Sequence, residues 1–172
     1  MKNLIGNERA KEYLSSLIDQ ERVGNSLLFS GPKGVGKSCF ARAFTELLLK
    51  DSRVVSGKHP DVHLYRPEGK TGMHSISSMR SLIKEVYLPP YETEIKVMII
   101  EDADRMMAVS ANALLKTLEE PAKKTLIILI SERTESLLPT ILSRCCRLRF
   151  SPIPEEEIEN YLIQKHGMER EE

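Results

Sequence analysis

Apolar positions in the first half of the chain alternate between helical spacing and short continuous runs. Residues 7–20 carry apolar side chains three and four positions apart, which predicts an amphipathic helix. The apolar run over residues 26–30 predicts a buried strand, and a glycine-rich turn and a helix over residues 38–50 follow it. The alternation over residues 61–66 predicts a second strand, and helical spacing over residues 75–87 predicts a third helix. Helices and strands are therefore expected to alternate.

The second half of the chain continues this alternation. An apolar run over residues 96–101 ends in acids and predicts a strand, and residues 110–120 predict a helix closed by Pro121. Residues 125–131 predict a fully apolar strand, and residues 147–150 a short fifth one. Strands that are apolar on both faces and alternate with helices indicate an α/β fold. We therefore predict a five-stranded parallel sheet with helices on both faces.

Composition excludes several classes of protein. The 172 residues suit one domain, and the 41% hydrophobic content excludes a disordered chain. The 25 Lys and Arg residues balance the 25 Asp and Glu residues, which argues against binding nucleic acid through bulk charge. The longest aliphatic run, residues 126–130, is too short for a membrane span, and the N-terminus has no apolar signal region. Three cysteines, two of them adjacent, form no disulfide framework, so we expect a cytoplasmic protein without a membrane partner.

The glycine-rich turn after the first strand matches the phosphate-binding pattern G-x-x-x-x-G-K-[ST] without a mismatch. Glycines leave no Cβ in the way, so backbone N–H groups can turn toward phosphate oxygens, and the next helix adds its positive dipole end. Lys37 is predicted to reach the β- and γ-phosphates and the Ser38 hydroxyl to ligate Mg²⁺. The predicted cofactors are ATP and Mg²⁺. The predicted nucleotide-binding residues are Gly31, Pro32, Lys33, Gly34, Val35, Gly36, Lys37 and Ser38.

An acidic turn follows the strand predicted over residues 96–101. A P-loop protein that hydrolyses nucleotide needs an acid at the C-terminal end of a neighbouring strand to hold the metal. The ends of parallel strands meet at the crevice where ligands bind. Glu101 is therefore the predicted Mg²⁺ ligand, and Asp102 is predicted to orient the attacking water. The alternative interpretation is an acidic turn without a catalytic role.

Two further segments are distinctive: ANALLKTLEEP at residues 111–121 and ILSRC at residues 141–145. They closely resemble the corresponding segments of the bacterial clamp-loader AAA+ ATPases, the delta-prime and gamma/tau subunits of DNA polymerase III. With LIGNE at residues 4–8 and HPD at residues 59–61, the resemblance covers about residues 3–165. It implies a five-stranded AAA+ core within a ring-like pentamer that opens the sliding clamp and loads it onto primed DNA. The implied partners are the gamma/tau and delta subunits and the sliding clamp, with DNA bound through the assembled complex.

The resemblance also implies roles for two residues outside the loop. By the match to the family's Ser-Arg-Cys motif, Arg144 is expected to be an arginine finger that acts in trans on a neighbour's ATP site. Such a guanidinium stabilises charge on the transferring phosphoryl group. Ser131 falls near the position of the family's sensor, a polar group that responds to the γ-phosphate, although the alignment also allows Glu132.

This sequence departs from the family pattern in three respects. Gamma/tau subunits usually carry Asp-Glu where this chain has Glu101 and Asp102, so the resemblance supports nucleotide binding and leaves hydrolysis open. The stretch over residues 50–58 lacks the zinc-binding cysteines of the family, so no zinc is expected. Family members continue through a helical lid and a collar. We therefore expect an AAA+ core over residues 1–150 and only the start of a lid over residues 151–172.

These observations lead to one hypothesis and two alternatives. The hypothesis is a delta-prime-like clamp-loader subunit that binds ATP and Mg²⁺ and acts in DNA replication, with weak or complex-dependent hydrolysis. The first alternative is a gamma/tau-type subunit that hydrolyses ATP itself. The second, from another class, is a small-molecule P-loop phosphotransferase. A subunit that uses the fold only as a scaffold and supplies Arg144 to its neighbour is a further version of the subunit hypothesis.

Overall fold

The computed structural model describes residues 4–120 and 122–166. Its helices are α1 Glu8–Asp19, α2 Lys37–Leu49, α3 Ile76–Val86, α4 Ala108–Glu119, α5 Pro139–Leu142 and α6 Glu155–His166. Its strands are β1 Ser26–Ser30, β2 Val62–Tyr65, β3 Lys96–Ile100, β4 Thr125–Ser131 and β5 Cys146–Arg149. Short 3-10 turns lie at Ser52–Val54, Ala103–Arg105 and Thr134–Ser136.

The five strands form one parallel sheet in the order β2-β3-β4-β1-β5. The register pairs Ser30 at the end of β1 with Ser131 at the end of β4, and Tyr65 at the end of β2 with Ile100 at the end of β3. The carboxyl ends of these strands therefore lie along one edge of the sheet, which is where ligands bind in open parallel sheets. The predicted α/β architecture with five parallel strands is confirmed.

Both faces of the sheet are covered by helices, as the continuous apolar strands predict. On one face α1 and α2 pack through residues such as Leu14 and Phe44, which are fully buried. On the other face α3, α4 and α5 pack through residues such as Leu82, Leu114 and Ile141. The central strands β1, β3 and β4 are buried on both sides, so their polar chemistry is confined to their ends, whereas the edge strands β2 and β5 are partly exposed.

The structure differs from the sequence prediction in a few boundaries and one element. Helix α5 was not predicted, because four residues are too few to show helical periodicity. The fifth strand begins one residue earlier and ends at Arg149, although the Phe150 amide still donates a 2.7 Å hydrogen bond to the Ser30 carbonyl. The predicted closure of α4 by Pro121 and the part of the predicted lid over residues 167–172 lie outside the described residues.

The N-terminal segment contacts the connection that follows β5. The Asn7 side chain accepts a hydrogen bond from the Ser151 amide at 2.8 Å and donates one to the Ser151 carbonyl at 3.2 Å. Gly6 lies so close to Ile153 that an added Cβ would be 2.7 Å from its side chain. Residues 151–154 form neither helix nor strand, and α6 follows. Within the described part of the chain, each helix is too short or too polar to cross a membrane.

Candidate functional site

The phosphate-binding pattern forms the connection between β1 and α2. At Gly31 the backbone has φ +155°, and an added Cβ would lie 2.3 Å from the Phe150 carbonyl oxygen. At Gly36, which precedes the first residue of α2, φ is +88°. Side chains other than hydrogen are disfavoured at both positions, at Gly31 by contact and at Gly36 by backbone conformation. The local structure thus requires two of the glycines of the motif.

Lys37, the first residue of α2, turns its side chain back into this loop. Its side chain is buried, and its Nζ donates hydrogen bonds of 2.7 Å to the Gly31 carbonyl and 2.6 Å to the Pro32 carbonyl. Burial lowers the pKa of Lys37, and nearby carboxylates oppose that effect. These carboxylates belong to Glu132, Asp102 and Asp104. The lysine of the loop therefore lies in the electrostatic field of acids at the ends of β3 and β4.

Ser131 ends β4 and is fully buried. Its hydroxyl donates a 3.0 Å hydrogen bond to an Asp104 carboxylate oxygen, and the Glu132 amide donates to the same oxygen at 3.2 Å. The Asp104 side chain is 4% exposed and also lies 3.5 Å from the Arg133 Nε. Asp104 was not among the predicted site residues. The sequence signals Asp104 only as the third acid of the turn, two positions after Asp102.

Glu101 directly follows β3, and its backbone is held on both sides. Its amide donates a 2.9 Å hydrogen bond to the Tyr65 carbonyl, and its carbonyl accepts one from the buried His74 Nε2 at 2.7 Å. Its carboxylate pairs with Arg66 at 2.6 Å and lies 3.6 Å from a guanidinium nitrogen of Arg42. Sequence reasoning missed these two arginines, which are 35 and 59 positions away from Glu101 and become neighbours only through the sheet.

Asp102 has the left-handed backbone conformation, with φ +50°, and precedes the 3-10 turn after β3. Aspartate tolerates this conformation better than most residues. The chain therefore turns sharply at Asp102, so that Glu101 is paired with arginines while Asp102 is one of the acids that act on Lys37.

Arg144 lies two residues after the end of α5, on the surface of the chain. Its guanidinium forms a 2.6 Å ion pair with Glu119 at the end of α4 and donates a 2.8 Å hydrogen bond to the Thr140 carbonyl. The Arg144 side chain is 32% exposed. These contacts of Arg144 are therefore with Glu119 and Thr140 and not with the phosphate-binding loop of its own chain.

A cavity of about 370 Å³ adjoins the start of the phosphate loop. Arg147 of β5 connects two sides of this cavity, because its guanidinium donates hydrogen bonds of 3.0 Å to the Ser30 hydroxyl and 2.9 Å to the Thr134 hydroxyl. The cavity is lined by Ser30, Gly31, Pro32, Glu132, Thr134, Arg147, Arg149, Phe150, Ser151 and Pro152.

A second polar cluster lies away from this site, where Asp51, His59 and Glu92 bring potential ligand atoms within 4.8 Å of one another. Arg53 already pairs with both carboxylates. His59 Nδ1 accepts a hydrogen bond from the Asp61 amide, so in the neutral ring the hydrogen is on Nε2, the atom that faces the carboxylates. A protonated Nε2 cannot ligate a metal. We therefore interpret the cluster as structural, and the absence of zinc stays a prediction.

The residues of the main site fit a nucleotide with Mg²⁺ in their chemistry. The glycine loop with its buried lysine is the kind of site that holds phosphate. A hydroxyl and a carboxylate are suitable Mg²⁺ ligands, and Ser38 and Glu101 carry them. Glu101 Oε1 is buried and accepts no hydrogen bond, so one carboxylate oxygen has lone pairs to offer. The two arginines beside it are the unfavourable element of the site.

This fold and loop define a class of protein, the P-loop proteins of AAA+ type. The chain is similar to the crystal structure of a DNA polymerase III gamma subunit-related protein from Thermotoga maritima, with a TM-score of 0.75 and 30% identity, over 90% of this chain and 50% of that one. It also shares its fold with the RuvB Holliday junction branch migration motor of Thermotoga maritima, with a TM-score of 0.64 and 16% identity, over 93% of this chain and 50% of that one.

Comparison of the sequence defines the family. Residues 6–154 match the family described as DNA polymerase III, delta subunit. The chain is 36% identical to DNA polymerase III subunit delta' of Bacillus subtilis over 91% of its length, and 26% identical to the gamma subunit of Buchnera aphidicola over 94%. The chain belongs to the DNA polymerase III delta-subunit family, with gamma and tau subunits as further relatives. It spans 51% of the Bacillus relative and 48% of the Buchnera one.

Proposed function

We propose that this chain contains the ATP-binding core of a clamp-loader subunit of DNA polymerase III, of the delta-prime type. Residues 1–150 are the core and residues 151–172 the start of a helical lid. One observation carries the proposal: a buried lysine lies inside a glycine loop and in the field of three carboxylates, in a chain of this family. We further propose a cytoplasmic location and a role in loading the sliding clamp onto primed DNA.

In this proposal the loop residues Gly31–Ser38 bind the phosphates of ATP, with the Lys37 ammonium donating hydrogen bonds to the β- and γ-phosphate oxygens. When Mg²⁺ is bound, Ser38 would hold it, with Glu101 as the predicted second ligand once its carboxylate leaves the two arginines, and the metal would supply positive charge at the phosphate oxygens. Asp102 orients the attacking water. Ser131 is the polar group that responds to the γ-phosphate, and its hydroxyl must then turn its one hydrogen from Asp104 to a phosphate oxygen.

Arg144 acts on the ATP site of a neighbouring subunit. Its side chain is partly exposed just after α5 and forms an ion pair with Glu119, which must open before the guanidinium can reach another chain. An exposed pair of this kind contributes about 0–1 kcal/mol, so assembly can exchange it for a phosphate contact. The neighbours are the gamma/tau and delta subunits, and DNA is bound through the assembled complex.

The binding site is tested by Lys37→Ala. We expect this variant to lose about 100-fold in ATP affinity, because charge-assisted hydrogen bonds to phosphate are removed. The affinity is measured by calorimetry with the wild type and with Lys58→Ala as a control, since Lys58 is an exposed lysine outside the loop. Unchanged affinity in Lys37→Ala would show that the loop is not the binding site.

Action in trans is tested by Arg144→Ala in a complex reconstituted with gamma/tau and delta subunits. The variant should lower ATP hydrolysis at the affected site of the complex about 1,000-fold or more, the scale of other arginine fingers. It should leave the ATP affinity of its own chain unchanged. Arg80→Ala, an exposed arginine on α3, is the control. Loss of the variant chain's own affinity would count against action in trans.

The intact glycine loop and the adjacent acids also favour a gamma/tau-type subunit that hydrolyses ATP unaided. Single-turnover hydrolysis by the isolated chain separates the candidates. Release of phosphate indicates an ATPase, and no release together with tight binding indicates a delta-prime-like subunit. Transfer of phosphate to a small-molecule acceptor would instead indicate the phosphotransferase alternative.

A further inference from the structure

The carboxylate that the site offers to Mg²⁺ is enclosed by two guanidinium groups. Arg66 Nε donates a 2.6 Å hydrogen bond to Glu101 Oε2, and Arg42 Nη2 lies 3.6 Å from Oε1. The Glu101 side chain is only 15% exposed, so water screens these interactions less than it would on an open surface. One negative charge thus faces two positive ones.

The fold brings these arginines to Glu101 from two elements. Arg42 is on α2 four positions after Ser38, so the two side chains are neighbours on one face of the helix. Arg66 directly follows β2, whose last residue Tyr65 is paired with Ile100, the residue before Glu101. The arginines are therefore part of the architecture of the site, on its metal side.

The backbone of Glu101 cannot relieve this arrangement by a local shift. Its amide and carbonyl are both hydrogen-bonded, to Tyr65 and to the buried His74 respectively. Only the side chain can move. The carboxylate must then divide its oxygens between the guanidinium groups and a metal ion, and an oxygen that is paired with a guanidinium attracts the metal less.

We propose that Arg42 and Arg66 are positioning residues that hold the Glu101 carboxylate away from Mg²⁺, so that this chain binds nucleotide with little dependence on Mg²⁺. The inference rests on the proposed nucleotide-binding function. Glutamate suits this arrangement because its side chain is one methylene longer than aspartate, which lets it reach both the arginine after β2 and the one on α2. Lys37 and the loop remain to hold the phosphates without the metal.

The experiment measures the affinity for a fluorescent non-hydrolysable ATP analogue in saturating Mg²⁺ and in EDTA. We expect the two affinities of the wild type to differ by less than about threefold, and those of Arg66→Gln to differ by about tenfold or more, because removing one cation strengthens the metal contact. Arg66→Lys, which keeps the charge, should behave like the wild type. Arg42→Gln should act in the same direction as Arg66→Gln and more weakly, because Arg42 is farther from the carboxylate.

The nucleotide carries more negative charge in EDTA than in Mg²⁺, so loss of a nearby cation can change the ratio by itself, and the controls separate that effect from one that acts through Glu101. Arg80→Gln, on the exposed side of α3, should leave the ratio unchanged. In a Glu101→Gln background, Arg66→Gln should also leave it unchanged, because the arginine acts through that carboxylate. Melting temperatures check that each variant is folded. If Arg66→Gln does not fold, Arg42→Gln replaces it in the comparison.

Two results would overturn the inference while leaving the proposed function intact. One is a wild type whose affinity already rises about tenfold with Mg²⁺, and the other is a rise in Arg66→Gln that persists in the Glu101→Gln background. If the wild type binds the analogue neither with Mg²⁺ nor with EDTA, the proposed function itself fails and the inference fails with it.

Discussion

Asp61 has a buried carboxylate that accepts four hydrogen bonds from one loop, and Asp61→Asn is expected to destabilise the fold. The carboxylate accepts hydrogen bonds from the Tyr91 amide, from the Glu92 and Thr93 amides at 2.9 Å each, and from the Thr93 hydroxyl at 2.8 Å. Asp61 is 1% exposed. It thus holds the connection between α3 and β3 against the start of β2.

The size of the effect follows from this geometry. An asparagine of the same shape places an NH₂ group at one oxygen position, so it loses at least one hydrogen bond and leaves a backbone donor without a partner. The remaining bonds lose their charge assistance. The sum is about 3 kcal/mol, which lowers the melting temperature of a domain of this size by about 10 °C.

Urea and thermal unfolding, followed by circular dichroism, measure this loss. Asp19→Asn at the exposed end of α1 is the matched control and should change the free energy of unfolding by less than about 0.5 kcal/mol. A loss below about 1 kcal/mol for Asp61→Asn would refute the reasoning, since it would mean that the loop does not need the charged acceptor.

The Asp61 carboxylate should also make the free energy of unfolding depend on pH in acid. Burial raises the pKa of Asp61, but the hydrogen bonds from residues 91–93 outweigh it and lower the pKa from 3.8 to about 2. Because the folded pKa is the lower one, the stabilisation is complete above the unfolded pKa and is lost as the pH falls from about 4 to about 2. The difference in unfolding free energy between wild type and Asp61→Asn should therefore shrink over this range.

Three further predictions concern the loop and its surroundings. Gly31→Ala should destabilise the chain by more than about 2 kcal/mol in urea unfolding, because its Cβ would meet the Phe150 carbonyl, whereas Gly34→Ala, with nothing within 4 Å, should cost about 1 kcal/mol from backbone strain alone. Phe150→Ala should cost about 3–5 kcal/mol, because its buried ring packs against two other phenylalanine rings. Burial and the neighbouring Cys146 raise the pKa of the Cys145 thiol to about 12. Cys145 should therefore react with a thiol reagent at pH 8 more than about tenfold slower than exposed Cys146. Equal rates would show that Cys145 is accessible and ionised.

Much of the fold could be predicted from the sequence because its signals are local. A strand buried on both faces, such as Thr125–Ser131, needs a continuous apolar run, and a helix that covers it needs apolar residues at helical spacing. The phosphate loop was also predictable, since Gly31–Ser38 are contiguous and their conformation depends on glycine itself. The four-residue helix α5 was missed because it makes only about one helical turn, too little for a periodic pattern to appear.

The ion pairs that surround the acids of the site could not be predicted from local sequence patterns. Glu101 and Asp102 are adjacent in sequence, yet one is paired with Arg42 and Arg66 while the other acts on Lys37. The left-handed turn at Asp102 separates them. A local pattern of acids after a strand predicts that charge is present at the sheet edge, and it does not state which cation each acid meets.

By itself the sequence determined an α/β chain of the AAA+ type, with a glycine loop after the first strand and acids after the third. The tertiary structure decided how those acids are used. Coulomb interactions depend on distances of a few ångströms between side chains, and the distance between Glu101 and the arginines depends on strand register and helix packing rather than on any nearby residue.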